Sequence, residues 1–236
     1  MLGSETFTCG ISSEGDEVDG HHYRSYLETV LWHPNGTLVK TLGDPRVYRI
    51  DDGGARWITS EGVFVSYGYT FSDVANVSES ELACLGQGAD IDQLGGVDAA
   101  YHSETGELWM RIGAPDRSDR YRRRVTSSNA RFAVMMSWGL SYSSMNEPPS
   151  LGPGSDFFAN WPAHSGQVVF RDGSLVTEES SSDVFVISDG WALPIRDWST
   201  YQLLGFHDRD ILVIEDGGLE AVQDFVGDCG AGILCL

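Results

Sequence analysis

Apolar and polar positions alternate along this chain in short runs of four or five residues, broken by glycine-containing pairs. Val30–Pro34 and Thr37–Val39 flank Asn35-Gly36, which reads as strand, tight turn, strand. Val47–Ile50 and Ala55–Ile58 flank Asp51-Asp52-Gly53-Gly54, a second hairpin whose glycines supply positive φ. Ser60–Tyr67 then has helical spacing, with a capping serine in front and Gly68 suited to the left-handed C′ position behind. After a short apolar strand, Ser78-Glu79-Ser80-Glu81 has capping-box spacing and opens a second helix.

The same succession returns 137 residues later. Residues 36–82 fall on 173–219 without a gap, with twelve identities in 47 positions, among them Gly36/Gly173, Ile50/Ile187, Asp52/Asp189, Gly68/Gly205 and Leu82/Leu219. Gln167–Phe170, Asp172-Gly173 and Ser174–Val176 repeat the first hairpin, Val184–Ile187 and Trp191–Ile195 the second, and Asp197–Leu204 before Gly205 the helix. This predicts an α+β, β-rich fold: two duplicated hairpin–hairpin–helix modules, at 28–91 and 165–236, around a central β-rich segment at 92–164. Residues 1–27 form an N-terminal arm. The central segment reads as unrelated to the modules. Gly106–Arg111 looks like a strand after a turn, and Phe132, Val134, Met136 and Trp138 show the period-2 pattern of a half-buried strand. The run Asn146–Gly154, with three prolines, excludes helix and central strand.

The duplicated pattern resembles a short repeat of secreted bacterial proteins, Gly-Ser/Thr-Leu-Ile/Val, then Val-Tyr-x-Ile-x-x-Gly, then Leu-Gly-Tyr/Phe. The first copy matches at Gly36, Leu38, Val39, Lys40, Val47, Tyr48, Ile50, Gly53, Arg56, Ile58, Gly68, Tyr69 and Leu82. The second matches at Gly173, Leu175, Val176, Val184, Ile187, Gly190, Pro194, Ile195, Leu204, Gly205, Phe206 and Leu219, and departs at Thr177 and Leu193. The resemblance implies an accessory module in an extracellular or cell-surface setting, with no catalytic residues assigned to it.

Composition then narrows the function. With 35 acidic against 15 basic residues the formal charge is −20, which argues against a nucleic-acid partner. No apolar run approaches the roughly 20 residues of a membrane span, so membrane insertion is not expected. Met1–Glu5 has neither a charged nor an apolar leader pattern, so any signal peptide has been removed or never existed.

Four cysteines, none in a metal-ligand spacing, fit two disulfides in an oxidising compartment, most simply Cys9 with Cys84 and Cys229 with Cys235. Buried free thiols are the alternative. Gly227-Asp228-Cys229-Gly230 looks like the nucleophile motif of chymotrypsin-like cysteine proteases, but the surrounding sequence follows the module instead of a double barrel. His21-His22 beside Asp16, Glu17 and Asp19 reads as a solvated acidic arm in preference to a metal site, and no metal or cofactor site is assigned. Asp90, Asp92 and Asp98 among glycines suit at most weak calcium binding. Trp57, Trp109, Trp138, Trp161, Trp191 and Trp198 could include a sugar-stacking platform, with core packing the simpler role for each.

The remaining chemical feature is a basic island. Arg111, Arg117, Arg120, Arg122, Arg123, Arg124 and Arg131 hold seven of fourteen arginines in a strongly negative chain. They read either as a loop paired with its own carboxylates or as a docking surface, with Arg117, Arg120, Arg122, Arg123 and Arg124 meeting an acidic neighbour or an anionic glycan. The expected function is that of a non-catalytic binding or structural protein, partnered by itself or another cell-surface component. A glycan-binding module and a cysteine- or metal-dependent hydrolase are the alternatives.

Overall fold

The computed structural model describes residues 16–18, 21–23, 33–113, 120–126, 128–195, 197–206, 211–222 and 225–226. In the arm β1 (Asp16–Val18) pairs with β2 (His21–Tyr23) in an antiparallel two-stranded sheet. The rest is β-rich α+β, in three five-stranded sheets.

The first sheet is built from β3 (Leu38–Thr41), β4 (Val47–Asp51), β5 (Gly54–Ile58), helix α1 (Glu61–Ser66), β6 (Val74–Val77), helix α2 (Glu79–Cys84) and β7 (Gly86–Gln87). Its order is β6-β3-β4-β5-β7, with β4 antiparallel to its neighbours and the edge pairs parallel. Alternation along the strands divides the apolar residues between two faces. Leu38, Val47, Ile58 and Val74 pack with Val63 and Phe64 of α1, whereas Val39, Ile50, Ala55, Ala75 and Val77 pack on the other side, with Leu82 of α2. Helix ends obey the sequence: the Ser60 hydroxyl accepts from Val63 N at 3.2 Å, and Ser78 with Glu81 closes a capping box. The β4–β5 turn places both Asp52 (φ +51°) and Gly53 (φ +71°) in the left-handed region, as a two-residue hairpin demands.

The central segment forms β8 (Val97–His102), β9 (Leu108–Ile112), β10 (Tyr121–Arg124), α3 (Arg131–Ser137), α4 (Tyr142–Asn146), β11 (Ser150–Leu151), α5 (Asp156–Ala159) and β12 (Ala163–Gln167). The last sheet follows from β13 (Leu175–Glu178), β14 (Phe185–Ser188), β15 (Trp191–Pro194), α6 (Trp198–Leu203), β16 (Ile211–Ile214), α7 (Gly218–Val222) and β17 (Phe225–Val226). Helices α1 and α6, and strands β3/β13 and β6/β16, coincide residue for residue at the offset read from the sequence.

The central sheet has order β11-β8-β9-β10-β12, with the same parallel and antiparallel senses as its neighbours. The segment that reads as unrelated is therefore a third copy of one topology. Its second and third strands, β9 and β10, are joined by a longer connection and its apolar positions are refilled, which erases the repeat from the sequence.

Two further expectations are corrected. Residues 131–137 are helix, not strand: Ala133 and Met135 are as apolar as their neighbours, so the run does not truly alternate, and Gly139 (φ +80°) terminates it as Gly68 and Gly205 terminate α1 and α6. The Asp172-Gly173 turn does not close a hairpin, because residues 168–170 before it are not strand; Val30–Trp32, in the expected strand before Asn35-Gly36, lies outside the described residues. The two turns lead the chain into β3 and β13, and Gly36 N and Gly173 N bond to Ile50 O and Ile187 O, both at 2.8 Å. Helix α3 lies between the second and third sheets, where Ala99, Met110, Val134, Met135, Val176, Ile187 and Ile214 share one core.

Candidate functional site

The three copies meet through their glycine turns. A Cβ on Gly36 would lie 2.1 Å from the Asp172 carbonyl, and one on Gly68 would lie 2.7 Å from Gly139 Cα. Gly205 packs equally tightly on Ala75 of β6. Where these turns converge they line a cleft of about 480 Å³, walled by Thr37 and Tyr69 of the first copy, Met136 and Leu140 of the second, and Ser174 and Phe206 of the third. Arg171 and Asp172 line both this cleft and a smaller neighbouring hollow of about 210 Å³.

Arg171 is buried, with its guanidinium 3.7 Å from the Tyr69 ring centre and Nη1 donating to Tyr67 O at 2.7 Å. Across the same junction Asn35, also buried, ties three turns together. Its amide nitrogen donates to Ser188 Oγ at 3.1 Å, its Nδ2 donates to Asp189 Oδ2 at 2.8 Å, and its Oδ1 accepts from Asp52 N at 2.7 Å. Asp172 occupies the equivalent place in the third copy and accepts from the backbone N–H of Asp189. Burial, and then the carboxylates of Asp189 and Asp51, push its pKa up to about 6. Beside it Asp51 holds Arg49 at 2.6 Å and Arg56 at 2.9 Å. The Thr37 hydroxyl, buried on the cleft wall, has no hydrogen-bond partner among the described residues.

Of the arginine island, Arg111, Arg120, Arg122, Arg123, Arg124 and Arg131 are described and Arg117 lies outside the described residues. Strand β10 brings Arg122, Arg123 and Arg124 onto one sheet, and β9 sets Arg111 directly opposite Arg122. Arg122 lies against the rings of Trp109 (5.5 Å) and Phe158 (5.6 Å), which themselves meet edge to face, and donates to Trp161 O. Arg111 lies over Phe157 and Trp161 and pairs with Asp98 at 3.1 Å and Asp156 at 3.3 Å. Arg124 pairs with Glu107 at 3.1 Å, Arg120 donates to Asn160 O at 3.4 Å, and Arg123 lies over Tyr121. Much of the island thus forms an internal arginine–aromatic ladder under α5.

Cys84, at the end of α2, is disulfide-bonded. Cys9, Cys229 and Cys235, and with them the Gly227–Gly230 motif, lie outside the described residues. The side chains of His21 and His22 lie outside them as well. Among the described residues no group of three His, Cys, Asp or Glu side chains is arranged to hold a metal, and Asp98 is engaged by Arg111. No helix among them is long and apolar enough to cross a membrane. Of the six tryptophans, Trp161 is core, Trp138 donates to Val169 O at 2.9 Å, and Trp198 is exposed while stacked on Tyr201.

Sequence reasoning missed Arg171 as a junction residue because it lies outside the aligned repeat. Asn35 and Asp172 immediately precede the aligned stretches, and both read simply as turn formers.

The chain matches no protein-family model and no curated protein. Among solved structures it is similar to the periplasmic assembly from the ESX-5 inner membrane complex, at 11% identity and a TM-score of 0.21, over 85% of this chain and 60% of that one. A second similarity is to an intact ESX-5 inner membrane complex, at 11% identity and a TM-score of 0.20, over 89% of this chain and 54% of that one. The chain spans less than two thirds of the length of either matched chain.

Proposed function

We propose that this is a non-catalytic extracytoplasmic protein that works by binding and assembly, with itself or with another envelope or cell-surface component. The observation that carries the reading is the threefold use of one module. Its recurring positions are turn glycines and apolar residues that lock copy to copy, and the polar side chains at the junction are held by structural bonds. Such an array is a scaffold presenting related surfaces. The disulfide at Cys84 supports an oxidising compartment.

The face offered for docking is the outer end of the arginine island. Arg124 is exposed, with Arg123 beside it on β10, in a chain whose net charge is −20. Opposite fields would steer acidic surface onto it, whether from a second copy or from an anionic glycan. Sedimentation velocity over a concentration and salt series tests this. The reading expects association that weakens with salt and is reduced by joint Arg123→Gln and Arg124→Gln substitution, because these leave the Arg122 stack in place. A monomer at every ionic strength that retains no acidic protein or anionic glycan would overturn it.

A further inference from the structure

We infer that Asp172 is a proton-operated latch on the contact between the first and third copies: protonated, it supplies across the junction the donor that Asn35 supplies from the other side, and ionised, it loosens that contact.

The two modules face each other through equivalent turns, Asn35-Gly36 and Asp172-Gly173, whose backbones touch. Asn35 and Asp172 both accept from the backbone N–H of the second hairpin turn of their own copy, Asp52 N for one and Asp189 N for the other. Asn35 has an NH2 group left over and donates it across the junction to Asp189 Oδ2 at 2.8 Å. A carboxylate has no such donor, because an ionised aspartate only accepts. Asp172 therefore fills an amide's place with half of an amide's hydrogen-bonding capacity. Protonation gives it one O–H donor.

The charged neighbours act in the same direction. From the β14–β15 turn Asp189 repels an ionised Asp172, and from β4 Asp51 does too, whereas Arg49 of β4 opposes them. Arg49 is itself committed to Asp51 at 2.6 Å, and neighbouring Arg171 is committed to Tyr67 O and the Tyr69 ring. The acid pKa is pushed up to about 6, with burial as the main cause, so folding favours the protonated form.

The sign follows from linkage. A group whose pKa is raised on folding stabilises the fold fully below its unfolded pKa, and that contribution is lost as pH rises through about 6. Because Asp172, Gly36 and Gly173 all line the cleft, the latch sets how firmly the cleft walls are joined.

Thermal unfolding from about pH 5 to 7.5, with carboxyl-carbon NMR of the wild-type protein, tests the latch. Wild type should lose stability across this range, and Asp172→Asn, with a donor at every pH, should melt higher at pH 7.5 and show a flatter profile. Asn35→Asp should steepen the profile by adding a second such acid. An Asp172→Asn profile as steep as wild type overturns the proposal. If that variant does not fold, the wild-type titration decides: a midpoint for Asp172 near 6 supports the latch, and one at or below about 4.5 overturns it.

Discussion

Gly36 and Gly173 occupy equivalent places in two copies of one module and touch each other directly, each with its missing side chain aimed at the other's backbone. A Cβ on Gly173 would fall 2.5 Å from Gly36 O, and both residues have φ near +84°. Two independent reasons thus require glycine, a left-handed backbone and the absence of a side chain. Gly36→Ala or Gly173→Ala should cost more than about 2 kcal/mol in urea unfolding, since the opposing atoms are backbone and cannot step aside. Gly53→Ala, at similar φ but with open space around it, should cost less than about 1.5 kcal/mol.

The second glycine contact joins the first and central copies. Gly68 and Gly139 each follow an equivalent helix and approach to within a van der Waals shell, so an alanine at either one separates the same two turns. The two single substitutions should therefore be strongly destabilising and the double variant much less so than their sum. Additive effects measured by denaturant titration would show that the turns do not share one contact.

Within 36–82 and 173–219 the fold was legible because turn and cap residues fix register locally. Asp52 and Asp189 share φ +51°, and Ser60 and Asp197 both cap the helix that the alignment places after them. The central copy was not legible, because the relation it keeps is topological: β9 and β10 are joined through Gly113–Arg120, where the flanking copies use two residues. The apolar run Phe132–Met136 carried no clear period, and Gly139 was the overlooked sign of a helix end. For the site, sequence found the arginines but not their partners, since the aromatic rings that engage Arg122 come from β9 and α5, far along the chain.

His33 is buried with Nε2 2.8 Å from Glu81 Oε1, and the same Glu81 closes the capping box of α2. Glu81→Ala removes both interactions and strands a buried imidazole, a loss of about 2–3 kcal/mol. Glu81→Gln keeps a single oxygen acceptor, enough for His33 or for Ser78 N but not for both, and should lose about half of that. Equal losses in chemical denaturation would mean the carboxylate's contacts do not matter individually.

Arg122 lies against two rings that meet edge to face, Trp109 and Phe158, so its removal acts through packing as well as charge. Arg122→Ala should destabilise by about 2 kcal/mol, and Arg122→Lys should recover only part, because an ammonium has no planar face to lay on a ring. Arg124→Gln, which breaks an exposed pair with Glu107, should change stability by less than about 0.5 kcal/mol. A melting-temperature series on the three variants checks the order.

The most direct test of a triplicated module is the strand pairing of the central segment in solution. Amide and Hα NOEs should place Ala99 opposite Met110 and Arg122 opposite Arg111 in antiparallel pairs, with Ser150 beside Tyr101 in a parallel one. Residues 131–137 should show helical chemical shifts. Strand shifts over 131–137, or an antiparallel partner for Ser150–Leu151, would contradict the third copy and with it the account of how this protein is built.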